Sequence, residues 1–294
     1  MRKLLILCLV LAAAAALAIV ASATGARSAS TAPNAIPGCG VDSLTLVADG
    51  TLTIGADNPA FPPWFGGAEK TKPWKVSDPY SGKGYESAVA YAVAKELGFT
   101  KAQVKWTVVP FANSFRPGKK SFDFYLTQVS YTPERDRAVD FSASYYFVNQ
   151  AVVARKSTPI AKAKSISALK RYKLGAQVGT TSYTYITRYI KPSSDPLVYD
   201  TNDAAVQALK NGQLDGIVVD LPTAFFVTAV QLDDGKIVGK LPTKGTKERF
   251  GMVFQTGNTL RRCVDRAIAR LTGNGTLKKL QTTYLARAGA PDIR

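Results

Sequence analysis

A hydroxyl, a helix cap and a guanidinium stand close together in the run TQVSYTPERDRAVDFS, at residues 127–142. They belong to Ser130, Thr132 and Arg135, which follow a predicted buried strand. Thr132 can cap a helix and Pro133 is favoured at the first helical position, so Arg135 falls in the first turn. Because a planar guanidinium pairs with both oxygens of a carboxylate, the run predicts a site for a small carboxylate. A surface salt bridge is the alternative for Arg135 taken alone.

Polar residues also follow three other predicted strands. Asp57, Thr180 and Asp220 each come at the end of an apolar run. In sheets covered by helices, ligands bind beyond the carboxyl ends of the strands, so these side chains and Ser130 are candidates for one site. Plain helix capping is the alternative for Thr180 and Thr181, and a cap or turn is the alternative for Asp220.

The elements that must position these residues are strands alternating with helices, a pattern that predicts an α/β fold. The segment GYESAVAYAVAKELG places apolar residues at helical spacing and ends at Gly98, so one face of this helix packs on a sheet. Two amphipathic helices lie within TLRRCVDRAIARLTGNGTLKKLQTTYL. The predicted strands are 52–56, 104–109, 122–129, 173–178, 214–220 and 250–254, and further helices are predicted over 183–190 and 201–212.

Length, composition and charge restrict the class of protein. With 294 residues, of which 46% are hydrophobic, the chain can fill one large domain or two modest ones. The formal net charge of +17 raises nucleic acid as a partner, but the basic residues are scattered, so we expect a solvated basic surface and no nucleic acid. The chain has no histidine, which argues against hydrolase triads and zinc sites. We expect no metal and no cofactor.

The N-terminus has the three regions of a secretory signal peptide. Arg2 and Lys3 precede an apolar run from Leu4 to Val20, and the small residues 21–23 follow it. We therefore expect residues 1–23 to be removed and the mature protein to be secreted across the cytoplasmic membrane, to the periplasm or the cell surface. A permanent membrane anchor is the alternative, although the apolar run is short and rich in alanine.

Cysteine usage agrees with export. Cys8 lies in the signal segment, so only Cys39 and Cys263 remain in the mature chain. Two cysteines in an oxidising compartment are expected to form a disulfide, and two buried thiols are the alternative.

Several segments, in order along the chain, resemble those of the solute-binding proteins of polar amino-acid ABC transporters, which are bacterial solute-binding protein family 3. The resemblance covers residues 52–285, and its strongest element is SYTPER followed by VDFS, which is similar to that family's SITPER and VDFS. It implies a periplasmic-binding-protein-like fold of type II, in which two α/β lobes are joined by two crossing hinge strands. The other matching segments are GADNPAFPPW, GYESAVAYAVAKELG, VGTTS, ALKNGQLDGIVVD and FGMVF.

The same resemblance implies a function and a domain plan. The protein is expected to bind a free amino acid between its lobes, to close on it, and to deliver it as a monomer to a permease in the membrane. A bridge between Cys39 and Cys263 would tie the N-terminal segment to the first lobe. The expected divisions are 24–41 for the N-terminal segment, 42–152 and 249–294 for lobe 1, 153–248 for lobe 2, and crossing strands near Ala151–Ala154 and Phe250–Phe254.

Roles for individual residues also follow from the resemblance. Arg135 would hold the α-carboxylate of the ligand, Asp220 its α-ammonium group, and Ser130 would help to hold these α-groups. Gln128 stands where the family often has Gly or Ser, a departure that narrows the pocket or adds an amide contact. The expected ligand-binding residues are Asp57, Phe61, Phe111, Gln128, Ser130 and Arg135 from lobe 1, and Thr180, Thr181 and Asp220 from lobe 2.

The aromatic residues match walls that enclose the ligand side chain. Phe61 and Phe111 match these walls best, and Trp64 is a weaker candidate. Ligand identity stays open, because Asp57 can pair with a cationic side chain yet is also frequent at this loop in binders of other specificities. The insertion at residues 70–84 has no evident role.

Two other functions stay open on the sequence alone. Cyclohexadienyl dehydratases resemble these binding proteins but need a general acid in the cleft. The spare acids near it, Asp57 and Glu86, have no evident partner to tune their pKa. A binding module that serves a receptor instead of a permease is the other alternative.

Overall fold

The computed structural model describes residues 36–285 and 289–294, so the predicted signal segment 1–23 and residues 24–35 lie outside the described residues. The strands are β1 (Leu52–Ala56), β2 (Val104–Val108), β3 (Phe124–Tyr125), β4 (Asp140–Phe141), β5 (Tyr146–Phe147), β6 (Gln150–Arg155), β7 (Leu174–Gln177), β8 (Leu197–Tyr199), β9 (Gly216–Asp220), β10 (Gly235–Lys240), β11 (Arg249–Phe250) and β12 (Val253–Phe254).

The helices alternate with these strands. The α-helices are α1 (Tyr85–Glu96), α2 (Phe111–Ser114), α3 (Pro133–Asp136), α4 (Ile166–Leu169), α5 (Thr181–Tyr185), α6 (Asn202–Lys210), α7 (Leu221–Phe226), α8 (Leu260–Gly273) and α9 (Thr276–Leu285). Short 3₁₀ helices lie at Val41–Ser43, Pro79–Ser81, Lys101–Gln103 and Pro159–Lys162, and π-helical turns extend α5 over Ile186–Ile190 and α7 over Val227–Gln231. Within the described ranges, none of these helices has the length and apolar character to span a bilayer.

Two five-stranded mixed sheets organise the fold. The first has the order β2-β1-β3-β12-β4, and β1 runs parallel to β2 and β3. The second has the order β10-β6-β9-β7-β8, and β7 runs parallel to β8 and β9. We call the first sheet with its helices lobe 1 and the second sheet with its helices lobe 2. The prediction of two α/β lobes is confirmed.

Apolar faces of three helices build the core of lobe 1. The buried face of α1 includes Tyr85, Val89 and Val93, which stand at the predicted helical spacing. In α8 the predicted face is buried as well, and it joins the same core cluster as α1 and α9. Trp74, in the unplaced insertion, is 2% exposed and belongs to this cluster, so part of the insertion is core.

The chain passes between the lobes on either side of a small strand pair. It enters lobe 2 between β5 and β6 and returns between β10 and β11, and β11 pairs antiparallel with β5. The expected boundary between residues 152 and 153 falls inside β6. This strand pairs with β9 on one side and β10 on the other, so it is a central strand of lobe 2.

The C-terminal residues pack on lobe 2, which differs from the expected placement of 249–294 in lobe 1. Asp292 forms a parallel bridge with Lys240, and its carboxylate lies 2.9 Å from the Lys240 ammonium group. Ile293 is buried in the core cluster of lobe 2. The last residues are thus held by contacts with β10, which sequence periodicity does not signal.

The predicted disulfide is present. Cys39 and Cys263 are bonded, with their Cα atoms 5.6 Å apart. Both belong to the core cluster of lobe 1, so the bridge fixes the segment before β1 against α8. The alternative of two buried thiols does not hold.

Candidate binding cleft between the two lobes

A cavity of about 70 Å³ lies between the lobes, at the carboxyl ends of β1, β7 and β9. Most of the predicted ligand-binding residues meet there. Thr181 is the exception, because its hydroxyl points to Ser130 and Glu248 behind the cavity. The lining residues are Asp57, Pro59, Ala60, Phe61, Phe65, Phe111, Thr127, Gln128, Ser130, Arg135, Gln177, Thr180, Thr201, Asn202 and Asp220.

Arg135 is positioned by the predicted helix start. The Thr132 hydroxyl accepts a hydrogen bond from the Arg135 backbone N–H at 3.1 Å, and Pro133 is the first residue of α3. The side chain is only 9% exposed. The guanidinium therefore stands at the cavity and is not a surface ion pair.

The Arg135 guanidinium spans the cleft. Its Nη1 donates to the Ser130 carbonyl and its Nη2 to the Gly179 carbonyl, each at 2.6 Å, so it joins lobe 1 to lobe 2. Its centre lies 4.4 Å from the Phe115 ring and 5.7 Å from the Phe111 ring. Burial lowers the pKa of Arg135 to about 10, and the carboxylates of Glu248 and Asp220 oppose this shift. A guanidinium has five N–H donors, so these two bonds leave donors for a ligand carboxylate.

Asp220 lies at the end of β9, where the sequence predicts it. Within the described residues its side chain accepts no capping bond from α7, so it does not act as a plain cap. Its Oδ1 accepts a bond from Gln150 Nε2 at 2.7 Å. Burial raises the pKa of Asp220 well above its usual value, and the neighbouring carboxylate of Glu248 adds to that rise. A cationic group in the cavity would stabilise the ionised carboxylate.

Thr180 and Thr181 have different roles. Thr180 Oγ1 accepts a bond from the Tyr183 N–H at 3.1 Å and donates to the Gln177 carbonyl at 2.7 Å, so it caps α5 while lining the cavity. Thr181 Oγ1 donates to Glu248 Oε1 at 2.5 Å. The capping alternative is therefore confirmed for Thr180 and wrong for Thr181.

Asp57 occupies the end of β1 on the lobe 1 side of the cavity. Its Oδ1 accepts a bond from the Asn58 N–H at 2.9 Å, and its own N–H donates to Thr127 Oγ1 at 3.1 Å. Burial raises the pKa of Asp57. Among residues 36–285 and 289–294, no cationic side chain forms an ion pair with it. The carboxylate is thus available to a cationic group of a ligand.

Phe61 and Phe111 line the cavity, whereas Trp64 does not. Phe61 lies 6.1 Å, between ring centroids, from Phe226 across the cleft. Trp64 is 1% exposed in the core of lobe 1, and its Nε1 donates to Thr223 of lobe 2 at 3.0 Å. It is core because its loop folds onto the start of α1.

A close backbone approach at Gly84 holds that loop in place. Gly84 has φ of +88°, and a Cβ atom there would lie 2.5 Å from the backbone of Phe65. The Glu86 N–H donates to the Trp64 carbonyl at 2.9 Å. A side chain at this position would push the loop away from α1, so only glycine fits here.

Gln128 is bonded to Glu86 rather than extended across the pocket. Its φ is +44°, in the left-handed region that favours glycine. Its backbone N–H donates to Glu86 Oε1 at 2.7 Å, and its side-chain amide donates to Glu86 Oε2. Tyr145 donates to Glu86 Oε1 at 2.5 Å. These bonds hold a strained residue at the cavity wall.

Glu86 is fully buried and its pKa is tuned, contrary to expectation. Burial raises the pKa of Glu86 to about 7, although the bonds from Tyr145 and Gln128 act in the opposite direction. The helical pattern places Glu86 near the start of α1, but its burial depends on the loop that folds over it. Sequence reasoning therefore missed this shift.

The largest omission from the predicted site is Glu248. Its carboxylate accepts bonds from Ser130, Thr181 and Gln150, and it lies between β10 and β11. No motif or periodicity marks that segment. Gln177, Thr201 and Asn202 were also missed, although the rule that ligands bind at strand ends could have identified Gln177 at the end of β7.

Comparison with known proteins places this cleft in a family context. Residues 65–287 match the sequence model of the bacterial extracellular solute-binding proteins, family 3. The L-arginine-binding protein of Pseudomonas aeruginosa is 27% identical over 257 residues, which cover 82% of this chain and 90% of that protein.

Two solved structures share the fold and are more than one quarter identical in sequence. An ancestral arginine-binding protein bound to arginine has a TM-score of 0.66 and 27% identity, covering 81% of this chain and 99% of the other. An ancestral amino acid-binding protein, a precursor of cyclohexadienyl dehydratase, has a TM-score of 0.65 and 26% identity, covering 81% and 96%.

Proposed function

This chain belongs to the bacterial extracellular solute-binding proteins, family 3, and on that premise we propose that it binds an amino acid with a cationic side chain. The amino acid is held between the lobes and delivered to the permease of an ABC transporter for uptake. The observation that carries the proposal is the charge pattern of the cleft: Asp57 and Asp220 line the cavity, while Arg135 is the cation of the lining.

The α-groups of the ligand account for two of these charges. Arg135 is buried at the cavity with donors beyond its two main-chain bonds, which suits an α-carboxylate. Asp220 lies on the lobe 2 side and suits the α-ammonium group, which would offset the cost of burying its charge. A dipolar ligand between these two groups contacts both lobes and favours the closed arrangement by its differential affinity.

The ligand side chain is left facing Asp57. This half-buried carboxylate shares the cavity with Phe61 and Phe111, whose rings suit the apolar stem of a long side chain. Two further carboxyl groups stand directly behind the lining. Glu248 is bonded to Ser130, and Glu86 is bonded to Gln128 and, with a pKa of about 7, is partly ionised at neutral pH. A ligand with a net positive charge balances this excess better than a neutral one. The arginine-binding relatives named above support the same class of ligand.

A ligand screen tests the proposal. The mature protein, freed of bound solutes by unfolding and refolding with its disulfide intact, is mixed with each of the twenty L-amino acids, and its Tm is measured. L-Arginine and L-lysine are expected to raise the Tm most, because a ligand that binds only the folded state stabilises it. L-Glutamine serves as the neutral comparison. A Tm unchanged by every amino acid would contradict amino-acid binding itself.

We propose that the protein is not an enzyme, although one structural neighbour is a precursor of a dehydratase. A general acid must reach the reacting group. Glu86 has a pKa of about 7 but is enclosed by Gln128 and Tyr145, and we assign Asp57 to the side chain of the ligand. Incubation with cyclohexadienyl acids is expected to give no product, as judged by the absorbance of an aromatic product.

Secretion and the identity of the partner are part of the proposal. Family membership supports an extracytoplasmic location, and the Cys39–Cys263 disulfide fits an oxidising compartment. We expect a monomer that docks on a membrane permease, not on a receptor. Deleting the gene should abolish uptake of labelled arginine while leaving chemotaxis towards it unchanged, and the reverse result would favour the receptor alternative.

A further inference from the structure

Glu248 joins both lobes at the back of the cleft. Its Oε1 lies 2.5 Å from Ser130 Oγ of lobe 1 and 2.5 Å from Thr181 Oγ1 of lobe 2. The neighbouring backbone is fixed, because the Tyr131 N–H donates to the Arg249 carbonyl at 2.9 Å and Ser130 forms a bridge with Phe250. The carboxylate is therefore held against both hydroxyls by the return segment between the lobes.

These contacts determine where the hydroxyl protons lie. An ionised carboxylate only accepts hydrogen bonds, and a hydroxyl has a single proton. The protons of Ser130 and Thr181 are thus both committed to Glu248. The two hydroxyl oxygens are 3.3 Å apart, and Ser130 lines the cavity, so its oxygen faces the ligand with lone pairs only.

A second set of hydrogen bonds connects Glu248 to Asp220, another acceptor at the cavity. Ser182 donates to Gln150 Oε1 at 2.6 Å. Gln150 Nε2 donates to Asp220 at 2.7 Å and to Glu248 at 3.0 Å, and these two acceptors fix the orientation of the amide. Gln150 is 3% exposed. One amide thus holds two carboxylates, Asp220 at the cavity and Glu248 behind it.

From this geometry we infer that Glu248 is a positioning residue that makes the site selective for a protonated amino group beside the ligand carboxylate. It acts through Ser130, whose hydroxyl it converts into an acceptor at the cavity, and it also takes the proton of Thr181, which would otherwise be free to donate to Ser130. An ammonium group needs acceptors, whereas a carboxylate needs donors. The inference rests on the proposed function, since it concerns the same cleft.

Replacing Glu248 with glutamine reverses part of this polarity. Both hydroxyls donate to Glu248 Oε1, whereas Oε2 accepts from Gln150 Nε2. Because Gln150 Nε2 is a donor held by Asp220, the amide oxygen of a glutamine takes the place of Oε2, and its NH₂ group faces the two hydroxyls, which must turn their protons elsewhere. A donor then faces the ammonium group of the ligand. Shape and volume are nearly unchanged, so the substitution tests proton direction and charge.

The experiment measures the Kd of Glu248→Gln and wild-type protein for L-arginine and for 5-guanidinopentanoate, the same molecule without its α-amino group. If the screen finds another of the twenty amino acids to bind best, that amino acid and its 2-deamino acid are the pair. The Kd for 5-guanidinopentanoate divided by the Kd for L-arginine measures the preference for the α-amino group. This ratio is expected to fall by roughly 10-fold or more in the variant, which is the scale of a lost hydrogen bond to a charged group. The deamino compound is expected to keep its affinity.

Glu96→Gln provides the matched control, because Glu96 pairs with Arg270 at the surface, away from the cleft. It is expected to leave the ratio unchanged. If Glu248→Gln weakens both compounds equally, or neither, Glu248 has only a structural role and the inference is overturned while the proposed function stands. If wild-type protein binds no amino acid, the proposed function fails and the inference with it.

A double-mutant cycle keeps the test decisive if Glu248→Gln lowers the Tm. Ser130→Ala and Thr181→Val remove the hydroxyls through which Glu248 acts. In that background, adding Glu248→Gln is expected to change the Kd ratio no further. A second, equal fall in the ratio would show that Glu248 does not act through these hydroxyls.

Discussion

The two lobes contribute opposite chemistry to one cleft, and they position it in different ways. Lobe 1 presents the Arg135 guanidinium from the short helix α3, beside Gln128 in a left-handed conformation. Lobe 2 presents Asp220 at the end of β9 and Thr180 at the start of α5. Lobe 1 thus relies on irregular backbone held by tertiary contacts, whereas lobe 2 relies on the ends of regular elements.

The binding residues of the two lobes differ in how much they depend on contacts with the other lobe. Arg135 keeps its place through bonds to carbonyls of both lobes, so its geometry depends on the closed cleft. Asp220 keeps its place through Gln150, on the neighbouring strand β6 of the same sheet. The donor half of the site is therefore assembled by closure, while the acceptor half is largely formed within lobe 2.

The largest effect is expected from the donor half. Arg135→Ala should weaken amino-acid binding by at least ~2 to 3 kcal/mol, because truncation leaves the ligand carboxylate buried without its partner. Titration calorimetry with L-arginine measures this loss. Arg137→Ala is the matched control, since Arg137 follows two residues later and is exposed. An unchanged affinity in Arg135→Ala would show that another residue binds the ligand carboxylate.

A smaller effect is expected from the acceptor half. Asp220→Asn keeps the bond to Gln150 possible but removes the charge, and it should weaken binding of L-arginine by about 2 kcal/mol, the range for hydrogen bonds to charged groups. Asp215→Asn is the control, because Asp215 immediately precedes β9, at the end of the strand away from Asp220. Its carboxylate accepts a hydrogen bond from the Lys173 N–H, so the substitution should lower the Tm but leave the affinity unchanged. Equal losses in affinity for Asp220→Asn and Asp215→Asn would contradict a ligand-binding role for Asp220 that Asp215 lacks.

Asp57 tests which lobe selects the ligand side chain. Asp57→Asn should weaken the binding of L-arginine by about 1 kcal/mol or more, as expected for a partly exposed charge pair. The binding of L-glutamine should be unchanged. The comparison uses the Kd values of the two amino acids in each protein. A loss of the same size for both ligands would move side-chain recognition to lobe 2, where Gln177 and Asn202 line the cavity.

The smallest effect is a pH dependence. The raised pKa of Asp57 means that this carboxylate becomes protonated at a higher pH than a free aspartate, and protonation removes its attraction for a cation. Preference for L-arginine over L-glutamine should therefore fall several-fold between about pH 7 and about pH 4. Asp220 acts on the α-ammonium group of both ligands and largely cancels in the ratio. In Asp57→Asn the ratio should change less with pH, and the remaining change is assigned to Glu86, whose pKa of about 7 also lies in this range.

Local rules predicted much of the fold and the outline of the site. The cap at Thr132, the face of α1 and the strand ends at Asp57 and Asp220 depend on neighbouring residues, so a single sequence reveals them. The Cys39–Cys263 bridge followed from counting cysteines, although its partners are 224 residues apart.

Features that depend on distant contacts were not predictable in this way. Glu248 lies 118 residues from Ser130, in a segment without helix or strand periodicity. The raised pKa of Glu86 depends on a loop that folds over α1, and Trp64 is core for the same reason. The predicted boundary between the lobes fell inside β6, which belongs wholly to lobe 2. A strand that crosses between lobes and a central strand of one lobe are both continuous apolar segments, so the sequence pattern does not distinguish them.

The packing of Ile293 against lobe 2 has a practical consequence. The start of the described chain is fastened to lobe 1 through Cys39, and its end is fastened to lobe 2 beside β10. Any change in the angle between the lobes therefore changes the distance between the two ends. Fluorophores attached near residue 36 and after Arg294 would report that angle by energy transfer, without a probe placed in the cleft itself.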